Sequence, residues 1–196
     1  MTDPRDEPDG YRPAPPAAPG TGRGPVMRSD IIDVYVFRRP RGRADVIEFL
    51  QLLRTGEPMG GTWQPVMGHI EAGETAPQTA RRELLEEVGL AASDAAMLGL
   101  WALEQVHPYY IAAIECIVLS PRFAAEVDAA WEPTLNHEHS ARRWIAMPVE
   151  PELANADARR GSLAPWFWPG QRACVLEILH EIVNERSLSR ERLRLR

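Results

Sequence analysis

Residues 68–90 read GHIEAGETAPQTARRELLEEVGL, and this stretch decides how the rest of the chain is read. It encodes a helix with a start and a stop. Thr75 and Gln78 fit a capping box, Thr-x-x-Gln, which satisfies free N–H groups in the first turn. Pro77 falls where a missing N–H does no harm, and Gly89 stands where a left-handed C-cap residue belongs. Ala80, Leu84 and Val88 recur every four residues and give the helix an apolar face. Glu83, Glu86 and Glu87 fall three and four apart, so their carboxylates share one narrow stripe. Like charges about 6 Å apart cost roughly 0.7 kcal/mol per pair in water, and several-fold more in a partly buried cleft. Something positive must offset them, and a hard divalent cation with oxygen ligands, Mg²⁺ or Mn²⁺, fits. Arg82, four residues before Glu86, is placed to hold that carboxylate in one rotamer. A solvated acidic face is the ordinary reading of such a cluster. The loop before it argues otherwise: Gly68 and Gly73, around Glu74, allow a sharp turn that brings backbone close to a ligand.

The full spacing is Gly, five residues, Glu, seven residues, then Arg-Glu-apolar-x-Glu-Glu-x-Gly-apolar. Gly68, Glu74, Arg82, Glu83, Leu84, Glu86, Glu87, Gly89 and Leu90 fill it without departure. This resembles the Nudix box of the Nudix hydrolases. The flanks are similar as well. Trp63-Gln64-Pro65-Val66 leads into Gly68 as a family strand would. His137-Glu138-His139 before Trp144-Ile145, and Trp168-Pro169-Gly170-Gln171, look like the dATP and dihydroneopterin triphosphate pyrophosphohydrolase branch. The resemblance extends over residues 29–185.

The resemblance implies that Glu83, Glu86 and Glu87 ligate Mg²⁺ or Mn²⁺, with the carbonyl of Met67 as a further oxygen. Glu138 is implied as general base or as another ligand, with an exposed loop acid as its ordinary reading; Glu83 is the alternative base. Glu74 is left as a loop support or a contact to metal through water. The implied reaction takes a nucleoside triphosphate-like substrate, dATP or dihydroneopterin triphosphate, to a monophosphate and pyrophosphate. Dinucleoside polyphosphates and ADP-ribose stay open as substrates, since Tyr109 and Tyr110 stand near where dinucleoside polyphosphate enzymes carry a tyrosine. A non-catalytic nucleotide-binding module is the third reading, but such modules commonly lose box glutamates and this chain keeps them all.

Outside the box the residues leave alternatives. Arg38 ends the first expected strand and is either a phosphate contact or a solvated arginine. His69 follows Gly68 and is placed to approach a phosphate. Trp63, Trp101 and Tyr110 are stacking platforms for a base or core aromatics. His137 and His139 read as exposed loop residues. Trp166, Phe167 and Trp168 read as packing for the last helix or as a substrate wall.

The chain has 196 residues, a net charge of −6 and a pI near 5.4. That length builds one domain with a full core. The charge argues against a grip on long nucleic acid, and an acidic enzyme needs metal to approach an anionic polyphosphate. Small nucleotide or pterin polyphosphates are therefore the expected partners; no motif fixes the oligomeric state. Cys116 and Cys174 lack metal-ligand spacing and do not make a disulfide framework, which fits a reducing cytoplasm. No apolar run is long enough to span a membrane.

Alternating and β-branched patterns predict strands at 31–37 and 46–54, paired antiparallel around a turn at 40–43. Further strands are expected at 62–67, 141–146, and as a pair at 96–105 and 109–119. A short helix is expected at 150–157, and an amphipathic helix at 171–187 with Val175, Ile178, Ile182 and Val183 inward. Mixed strands with helices on either side predict an α/β/α sandwich around a mixed β-sheet, the fold the resemblance also implies. The expected organisation is a Pro/Gly-rich disordered leader over 1–26, one domain over 27–186, and a basic tail over 187–196.

Overall fold

The computed structural model describes residues 24–57, 59–106, 108–149 and 166–195. Its centre is a mixed sheet of β2 (Ile31–Arg38), β3 (Val46–Arg54), β4 (Trp63–Gln64), β5 (Val66–His69), β6 (Met97–Ala102), β9 (Arg122–Val127) and β10 (His139–Pro148). The strand order is β10-β3-β2-β9-β6, with β4 on β3 and β5 on β2. β2 runs parallel to β9 and antiparallel to β5. Successive side chains of a strand point to opposite faces. Ile32, Val34 and Val36 of β2 therefore join one apolar layer, and Tyr35 and Phe37 the other. Helix α1 (Ala76–Val88) covers the first face through Ala80, Leu84 and Val88, all 0% exposed. The second face is covered by α2 (Pro169–Glu177), its π-helical continuation Ile178–Val183, and α3 (Ser189–Leu193). Val175, Ile178, Ile182 and Val183 face inward there, as the periodicity predicts. The fold is the α/β/α sandwich with a mixed sheet.

The pairing differs from expectation in three places. β2 and β3 meet only at Phe37–Phe49 and Arg38–Glu48. β4 and β5 wedge between them, taking Leu52–Leu53 and Ile31–Val34 as partners, and β3 lies along β10 instead. Residues 109–119 are not one strand. A 3₁₀ turn at Ala112–Ile114 and a left-handed Glu115 (φ 48°) fold the segment into β7 (Tyr109–Ile111) and β8 (Cys116–Val118). These join β1 (Val26–Arg28) in a separate three-stranded sheet. The partner of β6 is β9, a strand the sequence reading passes over. Its sequence RFAAEV has small residues and charged side chains where a buried strand normally shows branched apolar ones, yet every residue is buried.

The ends also differ. β1 begins at Val26, inside the expected leader. The long helix leaves helical geometry at Asn184 (ψ 100°). Beyond it, the expected basic tail is part of the domain through residue 195. Leu193 is buried, Leu195 N–H donates to Leu100 O at 2.8 Å, and Trp101 Nε1 donates to Arg190 O at 3.0 Å. The helix expected at 150–157 lies outside the described residues. Cys116 and Cys174 are buried free thiols. Among the described residues no helix is long and apolar enough to cross a membrane.

Candidate active site

The site begins with the ends of α1. Gln78 Oε1 accepts the Thr75 N–H at 2.8 Å, closing the first turn. At the other end Gly89 takes φ 71°, its N–H bonds Leu85 O at 3.1 Å, and Leu90 N–H bonds Leu84 O at 2.9 Å. β5 passes under the acidic side of the helix. A Cβ on Gly68 would fall 1.9 Å from the Glu83 carboxyl. Only glycine lets that carboxyl lie on the strand.

Arg82 does more than bind one neighbour. Its Nε and Nη2 grip both oxygens of Glu74 at 3.0 Å each. Its Nη1 reaches Glu83 at 2.6 Å and Glu86 at 3.0 Å. Nη2 also donates to the carbonyl of His69 at 2.7 Å. The flat five-donor fork of arginine makes this bracket possible. Glu74 also accepts from Thr79 Oγ1 at 2.8 Å and Glu71 N–H at 3.2 Å, so it braces the loop before the helix. Arg82, and then Thr79, hold its carboxyl down to about 2.

Glu87 is the opposite case. It is 2% exposed. Its carboxyl meets the Met67 N–H at 3.4 Å and lies 4.0 Å from His139 Nε2. Burial, then the nearby Glu83, with Glu138 adding to it, push its carboxyl up to about 9. Burial also raises Glu83, against the pull of Arg82. Glu138 arrives from a loop latched to the helix end. Thr134 N–H caps Val88 O at 3.0 Å and Asn136 N–H caps Glu87 O at 3.3 Å. Thr55 N–H holds Glu138 O at 2.9 Å, and Arg54 Nη1 meets the Glu138 carboxylate at 3.4 Å.

Glu83, Glu87 and Glu138 thus come within electrostatic reach of one another, with Glu86 at the exposed rim. The donors are carboxylate and carbonyl oxygens carrying more negative charge than Arg54 and Arg82 offset. That chemistry fits a hard divalent cation. Among the described residues, no three His, Cys, Asp or Glu side chains already converge on one point; Arg82 holds Glu83 and Glu86 in ion pairs with which a cation must compete.

The remaining expected contacts scatter. Arg38 is stacked on Trp144 and paired with Glu48 (2.7 Å) and Glu132 (2.8 Å), at the end of β2 away from β5. Trp63 is half-buried under the Arg143 guanidinium, 4.1 Å from its ring centre. Trp101 is core, at 0% exposure. Tyr110 is exposed and donates to Glu115 at 2.6 Å. The His69 ring lies outside, 3.0 Å from Arg28 Nη2. His137 is exposed. His139 is the residue sequence reasoning undervalued: it is buried behind Glu87, with Nδ1 3.3 Å from Asn136 Oδ1. Its Nε2 stands 4.0 Å from the Glu87 carboxyl. Burial pushes His139 down to about 4. The cue was alternation at the start of β10, which puts His139 inside. The partnership of Arg54 with Glu138 had no sequence signal.

The NUDIX domain family model matches residues 27–167. Over 133 residues the chain is 31% identical to the asymmetrical bis(5'-nucleosyl)-tetraphosphatase of Rattus norvegicus, covering 66% of this chain and 87% of that protein. It is 33% identical over 127 residues to an octanoyltransferase of Myxococcus xanthus, covering 64% of this chain but only 32% of that protein's length. The dihydroneopterin triphosphate pyrophosphohydrolase of E. coli has a similar fold (TM-score 0.54, 19% identity, 76% of this chain and 94% of that one). Fold and box together define a hydrolase of pyrophosphate linkages. The chain belongs to the Nudix family.

Proposed function

We propose that the chain is a Mg²⁺-dependent (or Mn²⁺-dependent) hydrolase of nucleoside polyphosphates. The observation that carries this is Glu87, a carboxyl buried beside Glu83 and Glu138 and pushed to about 9 by burial and like charge. Such a group is costly to keep unless a cation neutralises it. Glu83, Glu86 and Glu87 would hold the ion, with the Met67 carbonyl as a further oxygen and Glu138 as another where it does not serve as the base. When bound, it supplies charge neutralisation on the phosphates and lowers the pKa of water.

The residues of the chain do the rest. Arg82 fixes the loop through Glu74 and restrains the two outer carboxylates. Glu138, carried on a loop latched to α1, takes the proton of the attacking water, or Glu83 does so in its place. The water adds to one phosphorus, and the P–O bond to the neighbouring phosphate breaks with its electrons on the leaving phosphate.

For the substrate, the rat relative favours a dinucleoside tetraphosphate cut off-centre, to a mono- and a triphosphate. The nucleoside triphosphate-like reading, dATP or dihydroneopterin triphosphate to monophosphate and pyrophosphate, is the second, resting on the flanking motifs around Glu138 and Trp168. ADP-ribose stands behind both. A panel of diadenosine tetraphosphate, dNTPs, dihydroneopterin triphosphate and ADP-ribose with Mg²⁺, read for released nucleotide, phosphate and pyrophosphate, separates them. No turnover of any member would refute the proposal.

A further inference from the structure

Arg54 is a cation of the site that the mechanism above leaves unused. Leu50 and Leu52 of β3 belong to the apolar layer under α1, and alternation carries Arg54, two residues on, to that same face. It lies opposite His139 in β10, and its charge is felt at Glu87. Its backbone and its Nε are both anchored. The Arg54 N–H donates to Thr62 O at 3.1 Å, its carbonyl accepts the Gly61 N–H at 2.8 Å, and Nε donates to Gly56 O at 3.2 Å. Held in this way, the guanidinium turns Nη1 to Glu138 Oε2 at 3.4 Å.

Glu138 has a fixed backbone. Its N–H donates to Asn136 Oδ1 at 3.0 Å, and its carbonyl accepts from both the N–H and Oγ1 of Thr55 at 2.9 Å each. Asn136 in turn caps Glu87 O. The residue is thereby tied to the ends of β3 and α1 together. What stays free is rotation about the side-chain bonds, and a proton acceptor that must find one position before each turnover loses rate. Arg54 restrains that rotation.

The two candidate bases differ in how their arginines hold them. Arg82 Nη1 lies 2.6 Å from Glu83, a full charge-assisted bond. That carboxyl is pressed onto Gly68 and its side chain is 10% exposed. Arg54 stands 3.4 Å from Glu138, beyond the roughly 2.7–2.9 Å of such a bond, and the Glu138 side chain is 44% exposed. The first arrangement engages a carboxylate fully. The second aims one and leaves it open to water.

We propose that Arg54 is a positioning residue that holds Glu138, in preference to Glu83, as the base of the reaction. Glu138 takes one proton of the attacking water as the water oxygen bonds to phosphorus, and the leaving phosphate keeps the electrons of the broken P–O bond. Arg54 touches no reacting atom and acts through Glu138. This rests on the hydrolase reading and deepens it.

The test is a double-variant cycle in kcat, with Mg²⁺ and the best substrate of the panel, beside calorimetric Mg²⁺ binding. The calorimetric stoichiometry sets the active fraction, so a poorly folded variant does not pass for a slow one. Arg54→Gln should lower kcat roughly tenfold at a KM within about twofold. Arg54→Lys keeps the charge without the Gly56 anchor and should recover part of that loss. In the Glu138→Gln background, Arg54→Gln should change kcat less than about twofold. Full kcat in Arg54→Gln, a kcat loss that persists in the Glu138→Gln background, or a rise in KM alone would overturn the proposal. So would a loss of Mg²⁺ affinity of about tenfold or more in either single variant, which marks a part of the metal site and not a base or its support. A wild type that cleaves no member of the panel would sink the hydrolase reading itself.

Discussion

Glu87→Gln replaces a buried carboxyl with a neutral amide of nearly the same shape. The structure gives the size and sign of the effect. Burial and the adjacent Glu83 raise this group from 4.5 to about 9. The folded chain therefore holds a proton that the unfolded chain releases. Stability is intact below pH 4.5 and declines as pH climbs toward 9. Between pH 4.5 and neutrality the metal-free protein loses about 3 kcal/mol through this one group. Glutamine removes that loss but brings an amide with few partners, at about 1–2 kcal/mol. The net gain near neutrality is about 1–2 kcal/mol, a rise in Tm of roughly 2–8 °C for a chain of this size. Thermal melts in chelator across pH should show the variant above wild type near neutrality and at or below it near pH 4.5. Millimolar Mg²⁺ should then raise wild type and leave the variant behind, with kcat down at least about 100-fold. A variant that melts below wild type near neutrality in chelator, or gains as much from Mg²⁺, would refute the reasoning.

Gly68→Ala would place a methyl carbon 1.9 Å from the Glu83 carboxyl and drive it off the strand; kcat should fall about tenfold or more by steady-state kinetics, and full activity would make the position of Glu83 immaterial. Arg82→Lys keeps the charge but loses the fork that joins Glu74, Glu83, Glu86 and the His69 carbonyl; turnover should drop several-fold, and wild-type kinetics would show that charge alone suffices. Glu138→Gln should lower kcat more than it raises KM, and an unchanged rate returns Glu138 to an exposed loop acid. Gly99→Ala sets a Cβ 2.3 Å from the Trp101 ring; chemical denaturation should show a loss of about 1–3 kcal/mol, and a neutral result would mean the ring has room to move.

The box was legible because its signals are local. Capping, the glycine stop and the apolar face of α1 all lie within one stretch, and each appears in the structure where the spacing places it. Strand existence was legible at β2 and β3, but strand partnership was not, because β4 and β5 fill the gap that a simple hairpin would close. β9 escaped because Ala124 and Ala125, one in each core layer, are small residues, so the strand lacks the branched residues that announce one. In the site, Glu138 was reachable from its motif. His139 was misread because a histidine in a polar run looks solvated until the pleat of β10 turns it inward. The Asp33–Arg122 pair joins residues 89 positions apart in neighbouring parallel strands, which no periodicity reveals.

β6 closes one side of the seven-stranded sheet, and its outer rim is occupied by Arg194 and Leu195. An uncovered rim is a template on which another molecule's strand can add. Arg194 and Leu195 cover part of that rim beside Leu100 and Trp101. Tags or truncations that pull residues 194–195 away would produce aggregates before they produced a loss of turnover.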